Sequence, residues 1–170
     1  GKINPFYIVL VIKGWQGSDE RKKIRERSMR GKRAKARTGR VVGTRAPYGY
    51  DHVRDENGKV VNFEPIEEEA QTVRLIFQWY VIGDETGNRL SAGKIAKRLS
   101  DLQIPTPGET NSGYHRVRKS GMWAPTAVLD IIARETYAGI WRFGVRIGPT
   151  RIKRPKEEWI EVEVPALVDR

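Results

Sequence analysis

Residues 31–45, GKRAKARTGRVVGTR, separate two parts of the chain that have different sequence patterns. Six of these fifteen residues are Lys or Arg, and none is acidic. The segment has no apolar spacing that would bury it, and its glycines at positions 31, 39 and 43 favour a flexible backbone. A thin basic segment of this kind fits the minor groove of DNA, where arginine responds to groove width and potential. Two other interpretations stay open, a solvated linker and a nuclear localisation run.

The chain as a whole is strongly basic. Its 170 residues include 32 Lys and Arg against 21 Asp and Glu, which gives a formal net charge of +11. This excess favours a polyanionic partner, because neutralising phosphates releases the counterions that are condensed on a nucleic acid. The alternative is a soluble protein that is basic without such a partner. The length suffices for one domain with a core, or for one domain and an appendage.

The composition argues against disulfides, metals and membranes. The chain has no cysteine, which excludes disulfides and thiolate metal sites. Its two histidines, His52 and His115, are far apart in the sequence, so we expect no metal ion and no other cofactor. No signal peptide is evident, and the apolar run at residues 8–12 is much shorter than the roughly 20 residues of a membrane span. We therefore expect a cytoplasmic protein with no membrane partner.

On the N-terminal side of the basic segment, the pattern predicts one long helix within residues 1–36. Asn4 is a typical N-cap, and Pro5 suits the first helical position. The β-branched run at 8–12 would also suit a strand, but apolar residues continue on every side of a helix as far as Trp15. A helix half that is apolar all round needs a partner, so we expect a piece of a larger protein that self-associates through this half. The residues predicted to make that contact are Phe6, Leu10 and Trp15.

On the other side of the basic segment, local patterns predict a hairpin and an amphipathic helix. Residues 48–53 and 59–63 flank the pair Asn57-Gly58, which is typical of a hairpin turn. From Pro65 onward, apolar residues recur at steps of 4, 3, 4 and 3, the spacing of one helix face. This stripe consists of Ile66, Ala70, Val73, Phe77 and Tyr80. We therefore divide the rest of the chain into a linker over 37–46 and a second domain over 47–170.

Four glutamates lie around the start of the amphipathic helix. Glu67, Glu68 and Glu69 fall in its first turn, where the helix dipole stabilises negative charge, and Glu64 precedes them. The same carboxylates could instead bind a divalent cation, as in a metal-dependent nuclease. Both interpretations are compatible with the sequence.

The sequence patterns between residues 91 and 164 predict two more helices and a second hairpin. Ser91 is a typical N-cap for a helix that ends near residue 102, and Pro125 suits the start of a helix that reaches about Glu135. Between them lies a Gly-, Ser- and Pro-rich loop over 103–122. Residues 141–147 alternate between apolar and basic side chains, and residues 160–164 alternate as a partner strand after a basic turn.

This order of elements is that of a winged helix-turn-helix: helix, connection, second helix, and a hairpin with a basic tip. In such units the second helix lies in the DNA major groove. The predicted fold class is therefore α+β, with a long N-terminal helix and a basic linker followed by a helical domain with β-hairpins. The connection is longer than the usual 3–4 residues, so the helix at 125 could also be an ordinary core helix. Its solvent face would carry Thr126, Asp130 and Arg134.

Several short stretches form a combined pattern along nearly the whole chain, from about Pro5 to Asp169. The N-terminal stretches are Ser18-Asp19-Glu20-Arg21, Ile24-Arg25-Glu26-Arg27, Gly31-Lys32 and Ala46-Pro47-Tyr48-Gly49-Tyr50. The later stretches are Ile104-Pro105-Thr106-Pro107, Trp123-Ala124-Pro125-Thr126 and Tyr137-Ala138-Gly139. In this order and spacing they resemble the large serine recombinases, which include the serine integrases and transposon resolvases.

The resemblance implies roles for three segments of a larger protein. The long helix would leave a catalytic domain and contribute to the synaptic interface, the linker would follow the minor groove, and the second domain would occupy the adjacent major groove. The family's nucleophilic serine and arginine cluster belong to the catalytic domain, and a cysteine-bearing zinc ribbon usually follows. This chain matches neither, so we expect no catalytic residue in it. The parent protein, a dimer or tetramer, would cut and rejoin DNA through phosphoserine linkages during integration or excision.

Two positions depart from the family pattern. Ala124 stands where a small polar cap residue is common, which predicts a weakly capped helix. Asp130 places an acid on the face that we assign to DNA.

We predict that the chain binds double-stranded DNA at the half-sites of a bacterial or phage-encoded recombination system, within the nucleoid. The predicted minor-groove contacts are Arg37, Arg40, Thr44 and Arg45, and the major-groove contacts are Thr126 and Arg134. The predicted phosphate contacts are Arg116, Arg118, Lys119, Arg142 and Arg146. The alternatives are a stand-alone DNA- or RNA-binding regulator, the metal-dependent nuclease, and a structural module that oligomerises through the N-terminal helix.

Overall fold

The structure is a computed structural model that describes residues 5–43, 45–110, 121–147 and 152–169, with side chains from residue 19 onward. Helix α1 runs from Pro5 to Arg37 without interruption, which confirms the predicted long helix. Its C-terminus is closed by Gly39, whose positive φ of 75° lets its N–H donate to the Ala36 carbonyl at 3.0 Å. The predicted contacts Phe6, Leu10 and Trp15 have side chains outside the described ones.

The last turn of α1 and the chain that follows it are anchored in the core. Ala36 is 1% exposed and Val41 is 2% exposed, and both belong to the main apolar cluster. The Val41 N–H donates to the carbonyl of Val61 at 3.0 Å, which places the segment against a strand. The expectation that the basic segment contributes nothing to a core is therefore wrong at these two positions. Two adjacent valines, Val41 and Val42, in a basic run have no helix or strand periodicity, and the strand edge beside Val41 explains its burial.

The first hairpin confirms the predicted Asn57-Gly58 turn. Strand β1, Tyr50–Arg54, pairs antiparallel with β2, Val60–Pro65, in a register that places His52 opposite Phe63. The side chain of Asp55 closes the turn by accepting hydrogen bonds from the N–H groups of Asn57 and Lys59, at 3.1 and 2.9 Å. The same carboxylate forms an ion pair with Arg40 at 3.0 Å, so the turn also holds the basic segment.

Helix α2, Glu67–Phe77, confirms the predicted amphipathic helix, but Ile66, the first residue of the predicted buried stripe, precedes the helix and is 37% exposed. Ala70, Val73 and Ile76 are fully buried. The helix then continues as a π-helical turn over Gln78–Ile82. Because a π turn contains more residues than an α turn, it rotates the following side chains around the axis. Trp79 is therefore buried and Tyr80 is 39% exposed, so the assignment of Tyr80 to the buried stripe is wrong.

Three further helices complete the helical part. Helix α3, Ala92–Asp101, begins after Ser91, whose hydroxyl accepts from the Lys94 N–H at 3.4 Å, as predicted. A four-residue helix α4, Pro107–Thr110, lies within the predicted loop. Helix α5, Pro125–Ile132, is shorter than predicted, and a 3₁₀ turn over Glu135–Ala138 follows it.

The second hairpin is shorter than the alternating pattern predicted. Strand β3, Ile140–Phe143, pairs antiparallel with β4, Ile160–Glu163. Strand β3 ends where Gly144 adopts a positive φ of 81°, and an isolated bridge between Arg146 and Lys153 continues the pairing toward the tip. The described elements are thus helices with two small antiparallel hairpins, which confirms the α+β class.

A buried tyrosine network ties the hairpins to the C-terminal segment. The Tyr50 hydroxyl donates to the Pro165 carbonyl at 2.7 Å, and the Tyr137 hydroxyl donates to the Tyr48 carbonyl at 2.9 Å. Burial raises the pKa of Tyr50 to about 12. The pKa of Tyr48 is also raised to about 12, mainly by burial and to a smaller extent by the charge of Glu69. Burial also raises the pKa of Tyr137. In the described part of the chain, no helix has the length and apolarity required to cross a membrane.

The burial of Val41 is testable by truncation of its side chain. We expect Val41→Ala to lower the free energy of unfolding by about 2 kcal/mol, because it removes two methyl groups from a packed core. Val81 is 51% exposed, so Val81→Ala serves as a matched control with a much smaller effect. Urea unfolding followed by circular dichroism measures both. Equal effects of the two substitutions would show that Val41 is not part of the core.

The tyrosine network predicts that the protein loses stability in alkali. The folded pKa of Tyr50, about 12, lies above the ordinary value of 10, so the fold favours the protonated hydroxyl. Its contribution to stability is complete below pH 10 and is lost as the pH rises from about 10 through about 12. Denaturant unfolding between pH 8 and 12 should show this decline, and Tyr50→Phe should make it shallower. The control Tyr80→Phe, on an exposed ring, should leave the decline as steep as in the parent chain.

Candidate nucleic-acid interface

Helix α5 has one buried face and one exposed face. Val128 and Ile131 are buried at 0% and 4% exposure, against the rest of the core. Thr126 and Asp130 are exposed one helical turn apart. The helix begins after Ala124, which has an extended backbone and no side-chain cap, as its departure from the family pattern predicted. Helix α5 thus has an exposed face that begins in its first turn.

This exposed face lines a cleft of about 490 Å³. The opposite wall is the chain that leaves the basic segment, from Arg45 to Tyr48, and Pro107 and Gly108 at the start of α4 close one side. Thr126, Asp130 and Arg134 line the cleft together with Arg45. The structure thus brings together three of the predicted contact residues from two segments that are far apart in the sequence.

Buried contacts fix the walls of this cleft. The Tyr48 ring packs edge-on against Trp123 with a centroid distance of 5.4 Å, and its hydroxyl donates to the Pro105 carbonyl at 3.3 Å. The Tyr137 hydroxyl holds the Tyr48 carbonyl from the other side. Trp123 in turn donates its indole N–H to the Ile104 carbonyl at 2.9 Å. The spacing between the basic segment and α5 is therefore set by the core.

The predicted minor-groove residues differ in their surroundings. Arg40 is held by Asp55 in the ion pair described above, with its side chain 42% exposed. Arg37 at the end of α1 is exposed and has no acidic partner among the residues that the structure describes. Arg45 lines the cleft, and Thr44 lies outside the described residues. Of these residues, Arg37 and Arg45 thus lie on either side of the buried Val41, and Arg40 is paired within the protein.

The predicted phosphate contacts also differ. Arg142 forms ion pairs with Glu135 and, at 2.9 Å, with Glu161, and its guanidinium lies 5.5 Å from the centre of the Trp159 ring. Burial alone would lower the pKa of Arg142, but the hydrogen bonds that it donates to these two glutamates, together with their charges, outweigh burial and raise the pKa. Arg146 is exposed and has no acidic partner in the described part of the hairpin. Arg116, Arg118 and Lys119 lie outside the described residues.

An ion-pair network that the sequence did not reveal joins α1 to the second hairpin. Glu158 accepts from Arg33 at 3.3 Å and from Arg154 at 2.7 Å. The hydrogen bond from Arg154 is the largest of the effects that lower the pKa of Glu158. The charge of Arg154 and the hydrogen bond and charge of Arg33 lower this pKa further. The partners are separated by 125 positions, so no local spacing could have predicted the contact. This network holds one arginine of the basic segment away from any external partner.

Two of the four glutamates around α2 have structural partners. Glu67 pairs with Arg74 at 2.8 Å, and this hydrogen bond lowers the Glu67 pKa. Glu69 accepts the Gly49 N–H at 2.6 Å and so ties α2 to the first hairpin. Among the described residues, no three His, Cys, Asp or Glu side chains are grouped so that they could hold a metal ion.

Comparison with known proteins relates the chain to a protein family and to a bacterial protein. The model of the family described as "Recombinase" matches residues 67–170. A protein of Bacillus subtilis (strain 168) named "Putative DNA recombinase" is 25% identical over 173 residues, which cover 95% of this chain. The chain spans about a third of the length of that relative, since the match covers 32% of it.

The different surroundings of Arg142 and Arg146 predict different contributions to binding of a nucleic acid. We expect Arg146→Ala to weaken binding of duplex DNA and to reduce the slope of log affinity against log salt by about 0.9, because one phosphate contact is lost. Arg142→Ala should change the slope much less, because that guanidinium already has two glutamate partners. Fluorescence anisotropy at several salt concentrations measures both. An equal loss of slope for the two variants would mean that phosphates displace the glutamates in the complex.

Proposed function

Because the chain belongs to the Recombinase family, we propose that it is the DNA-binding part of a site-specific serine recombinase, which positions a catalytic domain on one half of a recombination site. The carrying observation is the cleft that Arg45 of the basic segment lines together with Thr126 of α5 and with Arg134, which follows α5. A basic extended segment beside an exposed helix face suits two adjacent grooves of one duplex.

The basic segment is suited to the minor groove. Val41 is buried on one side of it and Tyr48 on the other, so the chain between them is held at both ends. The six residues at 42–47 can span at most about 20 Å when extended, and the minor groove is about 6 Å wide. The segment is therefore long enough to enter the groove and return, while the protein core fixes where it enters. Thr44 and Arg45 fall at the part of it that would contact the groove.

Helix α5 is suited to the major groove. Its eight residues give a length of about 12 Å, which matches a major groove about 12 Å wide. Thr126 offers a hydroxyl and Arg134 a guanidinium that can bind guanine O6 and N7 in a bidentate manner. The order of α3, α4, α5 and the second hairpin supports a winged helix-turn-helix use of these elements, in which α5 is the recognition helix.

The whole protein would carry out integration or excision of DNA through phosphoserine linkages, with the cutting performed by a separate catalytic domain. The apolar first half of α1, with Phe6, Leu10 and Trp15, would pack on catalytic domains and help to form the dimer or tetramer. Such a protein would act on the bacterial nucleoid in the cytoplasm. A stand-alone DNA-binding regulator would share the basic charge and could use the same two grooves, but it would not need the apolar first half of α1.

Selection of bound sequences from random duplex DNA, carried out with the full chain, tests this function. We expect one motif with an A·T-rich stretch beside it. Arg45→Ala should weaken the A·T preference, because an arginine in a narrow minor groove is lost. Arg134→Ala should relax one base pair of the motif and lower the affinity for it by about 5- to 150-fold, the range expected for a good bidentate contact.

Arg89 supplies the matched control. It is exposed in the loop before α3 and lies away from the cleft, so Arg89→Ala removes the same charge without changing the selected motif. The proposal is rejected when the unaltered chain selects no motif and single-stranded RNA competes as well as duplex DNA.

A further inference from the structure

Asp130 is the one acidic side chain among the described residues that line the cleft. It is exposed, lies one turn after Thr126 on α5, and precedes Arg134 by four positions. No ion pair or side-chain hydrogen bond joins Asp130 to any residue that the structure describes. Its carboxylate is therefore available to a partner, in the middle of the surface that we assign to the major groove.

Several other acidic side chains of the described chain are held by arginines. Asp55 pairs with Arg40, Glu158 pairs with Arg33 and Arg154, and Glu135 and Glu161 both pair with Arg142. Asp130 lines the same cleft as Arg45 and Arg134 but forms an ion pair with neither. An unpaired carboxylate is repelled by the phosphates on both sides of the groove, so it opposes binding to any duplex unless a base donates to it.

The chemistry of the major groove limits which base can donate. A carboxylate only accepts hydrogen bonds, and the edges of guanine and thymine offer only acceptors to a hydrogen-bonding side chain. Adenine offers its N6 amino group, but its N7 acceptor lies beside it and repels the second carboxylate oxygen. Cytosine offers its N4 amino group without an adjacent acceptor of its own. The fit is therefore best for cytosine.

We propose that Asp130 is a specificity-determining residue that accepts a hydrogen bond from the N4 amino group of a cytosine in the half-site. The inference rests on the proposed function, since it requires α5 to lie in the major groove. The inference adds Asp130 to the proposed DNA contacts, although its negative charge alone would argue against such a contact. Where no cytosine lies opposite Asp130, repulsion by the phosphates lowers the affinity, which increases the preference for half-sites that have cytosine at this position.

Substitution of Asp130 tests the inference in the full chain by selection from random duplex DNA. The unaltered chain should select cytosine at one position. Asp130→Asn should shift that position to adenine, because an amide pairs with adenine N6 and N7. Asp130→Ala should remove the preference there and reduce discrimination between the best and worst base by about 5- to 150-fold. The Asn variant is nearly isosteric with the parent, so it remains informative when the Ala variant folds poorly.

Glu68 provides the control for charge. It is exposed in the first turn of α2 and lies outside the cleft, so Glu68→Ala makes the same change in net charge without altering any base preference. The inference is overturned when both Asp130 variants bind all sequences more tightly and leave every base frequency unchanged, which leaves the DNA-binding function intact. When the unaltered chain selects no motif at all, the proposed function fails together with the inference.

Discussion

The hydrogen bond from the Tyr137 hydroxyl to the Tyr48 carbonyl joins the two segments on which the cleft depends. Tyr48 follows the basic segment, and Tyr137 follows α5, so their contact sets the distance between the two walls. The bond is buried, and Trp123 packs against the Tyr48 ring at its other side. Loss of one partner would leave a polar group unsatisfied in the core, which costs more than the bond itself contributes. The geometry of the exposed interface is therefore a property of the core.

Ion pairs divide the arginines into two groups. Arg33, Arg40 and Arg142 are held by acids of the same chain and stabilise contacts between distant segments. Arg37, Arg134 and Arg146 have no acidic partner among the described residues, and they leave positive charge on the surface. A formal charge of +11 therefore does not indicate how many cations are available to phosphates. Only the fold shows which arginines form ion pairs within the protein and which have no acidic partner among the described residues.

Local signals predicted most of the secondary structure. The Ser91 cap and the Asn57-Gly58 turn depend on neighbouring residues, and the structure confirms both. The 4-3-4-3 spacing after Pro65 correctly predicted a helix, but Ile66 and Tyr80 at its two ends are exposed. The burial of Val41 and the exposure of Tyr80 were not predictable in the same way. Val41 is buried because a strand 20 positions later accepts its N–H, and Tyr80 is exposed because the helix changes its pitch. The cleft itself joins segments whose meeting no local pattern specifies.

The end of α1 is held by two kinds of contact of unequal strength. Ala36 and Val41 are buried in the core, whereas the ion pair of Arg33 with Glu158 is partly exposed and screened by salt. A helix of 33 residues is about 50 Å long, so a small rotation at its end moves its far end by many ångströms. The buried contacts fix where the helix leaves the domain, and the weaker ion pair biases its direction. The attachment of α1 to the domain therefore depends mainly on the buried contacts of Ala36 and Val41 and less on the ion pair.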